Sequence, residues 1–107
     1  MKYKVFFTED AESDLFEIYE YIRENGYPLQ AEKLLSELVA ICEKLSHMPE
    51  RGHIPKELQR VGMRDYLQIH LNIYRIIYQL IGSKIYIHCI LDGRRDVQEL
   101  LTRRILR

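Results

Sequence analysis

Three strand-like runs crowded into residues 64–91 constrain the fold of this chain more than any other feature. They are "RDYLQIHL" (Arg64 to Leu71), "IYRIIYQL" (Ile73 to Leu80) and "KIYIHCIL" (Lys84 to Leu91), with the turn-like Ile81-Gly82-Ser83 between the last two. All are rich in isoleucine and tyrosine, whose side chains pack well on a pleated surface. The middle run is apolar on both alternating faces, which predicts the central strand of an antiparallel meander buried from both sides. Arg75 interrupts that run. A guanidinium there needs either an ion-pair partner, for which Asp92 and Asp96 are the candidates, or a phosphate or carboxylate ligand suited to its donor fork.

Upstream the period changes from two to between three and four. Tyr3 to Phe7 is a short β-prone run, and Thr8 then precedes "EDAESDLFEIYEYIRE". Glu9 and Asp10 fall in its first turn, where carboxylates favour the positive end of a helix dipole, and Ala11, Leu15, Ile18 and Ile22 form one apolar stripe. Asn25-Gly26 ends this helix and Pro28 suits the first turn of the next, whose stripe is Ala31, Leu34, Leu35, Leu38, Ile41, Cys42 and Leu45. The few residues between them predict an antiparallel helical hairpin. Residues Ser46 to Met63 hold two of the three prolines and two of the five glycines with poor periodicity, and read as a long ordered loop. The final "RDVQELLTRRIL" reads as a short helix with Val97, Leu100 and Leu101 inward. The order is therefore β-α-α-β-β-β-α: an α+β fold with a helical hairpin packed on a mainly antiparallel four-stranded sheet.

At 107 residues, with 47% hydrophobic and 30% charged, the chain reads as one globular domain spanning 1–107. The apolar run near the start, Val5-Phe6-Phe7, is too short for a secretory segment or a membrane span. Cys42 and Cys89 both sit inside apolar-periodic segments and read as buried free thiols, so the cytoplasm is the expected location and no membrane is involved. The zero net charge hides a split: residues 1–50 carry 5 Lys/Arg against 11 Asp/Glu, net −6, and residues 51–107 carry 11 against 5, net +6. Either an acidic and a basic surface result, or the halves pack together and neutralise each other.

The chain has no glycine-rich phosphate loop, no Cys-x-x-Cys pair and no nucleophile elbow. Its four histidines lack zinc-type spacing, and no metal or cofactor is expected. The acids of the first helix, Glu9, Asp10, Glu12, Asp14, Glu17, Glu20 and Glu24, read as its solvated face rather than as acid/base machinery. The arginines are the remaining candidates. Arg64 opens the first strand of the meander, and Arg94 and Arg95 follow the last in the tight "DGRRD". With Arg75 they are expected to converge in part.

The ordered segments "AESDLFEIYEYI", "AEKLLSELVAICEKLSHMPERG", "YRIIY" and "LDGRRDVQELLTRRIL" resemble the RelE/ParE superfamily of bacterial toxins from type II toxin–antitoxin modules, and the ParE-like branch (plasmid-stabilisation proteins) in particular. The resemblance spans nearly the whole chain. It implies the same β-α-α-β-β-β-α fold and a cognate antitoxin as partner. RelE-like members cleave messenger RNA in the ribosome without a metal, using basic residues around the scissile phosphate and a C-terminal acid; ParE-like members poison DNA gyrase. Arg75 and Arg95 match basic positions of the cleaving members, and His70 could serve as acid or base. However, Gln68 and His70 stand where those members place lysines, and Leu100 and Leu101 stand where a proton donor is expected. The resemblance thus implies a gyrase inhibitor that is not an enzyme, with a ribosome-dependent mRNA endonuclease or a non-toxic antitoxin-binding remnant as alternatives. It further implies that the antitoxin meets Leu15, Tyr19 and Leu38 on the hairpin and covers Arg94 and Arg95, with Arg64 a further partner-binding candidate.

Overall fold

A computed structural model describes residues 2–105. Strand β1 (Lys4–Phe7) leads into helix α1 (Glu9–Glu24), whose N-cap Thr8 accepts a hydrogen bond from the Ala11 N–H. Helix α2 (Pro28–Glu43) begins with its proline and runs into a 3-10 turn at Lys44–Ser46. After helix α3 (Lys56–Gln59) come strands β2 (Tyr66–Leu71), β3 (Tyr74–Ile81) and β4 (Lys84–Asp92), then helix α4 (Val97–Arg104). The expected order holds with one addition. The segment 46–63, read as loop throughout, contains α3, a single turn too short to leave a periodic signature.

The sheet order is β1-β4-β3-β2, with β1 parallel to β4 and the remaining pairs antiparallel. Strand β3 is central and buried on both faces, as its composition requires. The register shifts between Ile77 and Tyr78, where Cys89 and Ile87 are the respective partners, so His88 is the extra residue of a β-bulge. The bulge reverses the parity of β4 and lets Ile85, Ile87 and Ile90 all join one core.

That core lies between the sheet and the α1–α2 hairpin, and includes Ala11, Leu15, Leu38, Cys42, Ile69, Ile76 and Tyr78. The opposite face is covered by α3 and α4, where Leu58, Val97, Leu100 and Leu101 pack on Ile77, Cys89 and Leu91. The domain is therefore three layers, with β3 buried from both sides as its composition predicts. Cys42 and Cys89 are free and buried, one in each core, and burial pushes both thiols up to about 12.

The Tyr78 hydroxyl fastens the 46–63 segment to the sheet: it donates to the Pro49 carbonyl and accepts from the Gly52 N–H. A Cβ at Gly52 would lie 2.6 Å from the Gln68 carbonyl oxygen and 2.8 Å from that hydroxyl. Gly52→Ala is expected to cost about 1–3 kcal/mol in urea unfolding, because the obstructing atoms include backbone that cannot step aside.

Candidate functional site

Arg75 lies in β3 beneath α3, 9% exposed. Its two terminal nitrogens donate to the two Glu57 carboxylate oxygens at 2.8 Å each, and its Nε donates to Gln68 Oε1 at 2.7 Å. The Gln68 amide continues to His53 Nε2 at 3.0 Å, and the His53 ring stacks on His70 with centroids 5.7 Å apart. Antiparallel bonds between the His53 and Gln68 backbones hold this edge together. The Arg75 guanidinium holds the Glu57 carboxyl down at about 2, so Glu57 stays ionised and committed to it. Burial, with help from His53 and Arg75, pulls the exposed His70 below its ordinary value. A pocket of about 370 Å³ opens here, lined by His53, Lys56, Gln68, His70 and Arg75.

Arg75 is thus structural, but its counter-charge is Glu57 and neither Asp92 nor Asp96. Strand alternation explains the correction. Arg75 stands opposite Leu91 and His70, on the α3–α4 face, whereas Asp92 stands opposite Tyr74, whose side chain points to the hairpin face.

The other arginines do not gather around it. Arg64 is exposed and precedes Tyr66, which pairs with Gln79 and through it with Tyr86; the β4 end carrying Arg94 and Arg95 is level with Tyr74 and Leu71. The first and third strands of a meander run parallel to each other, so the start of one and the end of the other occupy opposite ends of the sheet. The expected convergence of Arg64 with Arg94 and Arg95 is therefore overturned. Arg94 is exposed and doubles back on Asp92, with Nη2 2.7 Å from Oδ2. Arg95 has no carboxylate within salt-bridge distance among the described residues and lines a groove of about 400 Å³ between α1 and the end of β4.

Acidic and basic halves do meet at this seam. Asp14, taken from sequence as solvated, is buried: its carboxylate accepts from both terminal nitrogens of Arg104 and from the Ile90 N–H. Burial raises its carboxyl above the ordinary value while those donors pull it back. Its spacing carried the signal, since residue 14 is three past Ala11 and four before Ile18, on the apolar stripe. Of the hairpin residues expected at an antitoxin interface, Leu15 and Leu38 belong to the core and only Tyr19 is partly exposed, so this conformation offers no surface at the first two.

Among the described residues no group of three or more His, Cys, Asp or Glu could hold a metal, and no helix is long and apolar enough to cross a membrane.

Three solved structures share the fold: a chain of the chromosomal ParDE system from P. aeruginosa (19% identity, TM-score 0.68, covering 83% of this chain and 94% of that one); a chain of the RelBE2 toxin–antitoxin complex of Mycobacterium tuberculosis (20%, 0.61, 84% and 96%); and an arginine-to-alanine double mutant of the E. coli toxin RelE in the free state (21%, 0.58, 99% and 97%). No curated protein matches the sequence significantly. The profile of the ParE toxin of the type II toxin–antitoxin system parDE matches residues 5–97, most of the strands and the whole hairpin. With the RelE/ParE fold present from β1 to α4, this chain belongs to the ParE toxin family of type II toxin–antitoxin systems.

Proposed function

We propose that this toxin acts by binding, as an inhibitor of DNA gyrase held inactive in the cytoplasm by a cognate antitoxin. The observation that carries the reading is the state of Arg75. A guanidinium that stabilises a scissile phosphate must present free donors to it, and this one spends its fork on Glu57 inside the protein. The C-terminal helix supports the same reading, because Leu100 and Leu101 are buried in the second core and neither can donate a proton. The family match to ParE toxins points to the same branch.

One observation favours the ribosome-dependent endonuclease instead. His70 stands exposed at the mouth of the Arg75 pocket, and burial, with His53 and Arg75 nearby, pulls its value down and so favours its neutral form, as a general base requires. A translating extract separates the readings. Messenger RNA is expected to remain intact at toxin concentrations that arrest growth; codon-spaced cuts that disappear in Arg95→Ala or His70→Ala would establish the nuclease.

A further inference from the structure

The end of the sheet remote from Arg94 and Arg95 carries an open face that is both aromatic and cationic. In β1, Val5 and Phe7 pack into the core under the hairpin, so alternation turns Lys4 and Phe6 to the opposite face. In β4, Ile85 and Ile87 join the same core and send Lys84 and Tyr86 the other way. Helices α3 and α4 cover that opposite face over Ile77, Cys89 and Leu91, and neither Phe6 nor Tyr86 belongs to the core they form. Phe6 is 40% exposed on an edge strand of the sheet.

Register arranges these four residues in two rows. Phe6 stands opposite Tyr86, with ring centroids 5.5 Å apart and planes 23° from parallel. Lys4 stands opposite Lys84; both are exposed, and neither has a carboxylate within salt-bridge distance among the described residues. Like charges directly opposite each other on adjacent strands cost stability, and this pair leaves both ammonium groups free for an external anion. The two rows are two residues apart along the strands, about 6.6 Å. On its other side Tyr86 is level with Gln79, which is hydrogen-bonded to His88 Nε2 at 3.0 Å, and the His88 ring meets Tyr66 edge-on. The aromatic row is thus braced by its neighbours and needs little ordering to bind a flat ligand.

We infer that this face binds single-stranded DNA: a base stacks on the free side of Phe6, prolonging the Phe6–Tyr86 stack past the sheet edge, and the adjoining phosphates lie on Lys4 and Lys84. Aromatic rings beside a cationic row accept every base, since each has a π-face, and the phosphates supply the negative charge that the lysines lack. At the far edge Asp65, beside Tyr66, offsets Arg64, so the cationic end is that of β1 and β4 and the phosphates follow that side. DNA rather than RNA follows from the gyrase reading proposed above, in which the toxin acts beside cleaved DNA; the site is tested without gyrase, so its failure leaves that reading to the supercoiling assay.

The test is fluorescence anisotropy of a labelled short oligothymidine titrated with purified full-length toxin. Phe6→Ala is expected to weaken binding by about tenfold, the contribution of one stacked base. The slope of log K against log salt is expected to be about −1.4 for two phosphate contacts and to fall to about −0.7 in Lys84→Gln. Lys33→Gln, exposed on α2, is expected to leave affinity and slope unchanged. Absence of binding at low salt would overturn the inference, as would equal binding by Phe6→Ala and the parent, which would reduce it to diffuse surface charge. Tighter binding of an oligouridine would overturn it in favour of RNA. Self-association in sedimentation that is lost in Phe6→Ala, with no binding of the oligonucleotide, would make a second toxin copy the occupant instead.

Discussion

Glu57→Ala is expected to lower the unfolding free energy by about 3–5 kcal/mol. The reason is what it leaves behind: Arg75, 9% exposed in the central strand, loses both carboxylate bonds and keeps only Gln68. The penalty is the stranded charge rather than the lost pair. Glu57→Leu combined with Arg75→Met is therefore expected to recover most of the loss, since apolar groups of similar volume replace a buried pair at little cost. Urea denaturation of the two single variants and the double variant measures this directly. The same carboxyl gives the protein an acid limit. In the fold it titrates at about 2, below its ordinary 4.5, so its stabilisation is complete above about pH 5 and is lost as the pH falls through 4.5 toward 2. About 3 kcal/mol of acid sensitivity follows from that difference, and it is expected to be absent from the double variant. A Glu57→Ala protein within 1 kcal/mol of the parent would remove Arg75 from its structural role.

Asp14→Ala is expected to cost about 2–4 kcal/mol, because one carboxylate serves three donors from two other elements. Removing it strands the Ile90 N–H on the bare side of β4 and frees Arg104, which ties α4 to the hairpin across the edge of the sheet. Asp14→Asn keeps an acceptor for the Ile90 N–H while losing the charge, and is expected to cost about half as much. Exchange of the α4 amides distinguishes the two contributions: it should speed up in both variants, since both release Arg104, whereas the Ile90 amide should speed up mainly in Asp14→Ala. Equal exchange of Ile90 in both would show that the charge and not the acceptor holds this edge.

The elements with long apolar periods were legible in the sequence. The stripe from Ala11 to Ile22, the stripe from Ala31 to Leu45 and the two-sided apolar run of β3 led to the hairpin, the central strand and the element order. Helix α3 was not legible because four residues after Pro55 form one turn, and its existence depends on Leu58 packing under the sheet. That omission also concealed the partner of Arg75, since α3 is the element that carries Glu57 across to it. Asp92 and Asp96, just past the next strand, stood as the candidates, but strand parity places Asp92 on the other face of the sheet. Asp14 was misread for the opposite reason: its neighbours are acids that do face solvent, while its own spacing matched the buried stripe. Parallel pairing of β1 with β4, and the length of β4 that it leaves uncovered, depend on where the chain turns at Thr8 and had no local signature.

As proposed above, this toxin binds gyrase, and its arginines serve folding and recognition rather than phosphate cleavage. The most direct test is DNA supercoiling by purified gyrase with rising toxin, with and without antitoxin. Inhibition with accumulation of cleaved DNA–gyrase complexes, relieved by antitoxin, is the predicted result; gyrase that supercoils undisturbed at saturating toxin would contradict it.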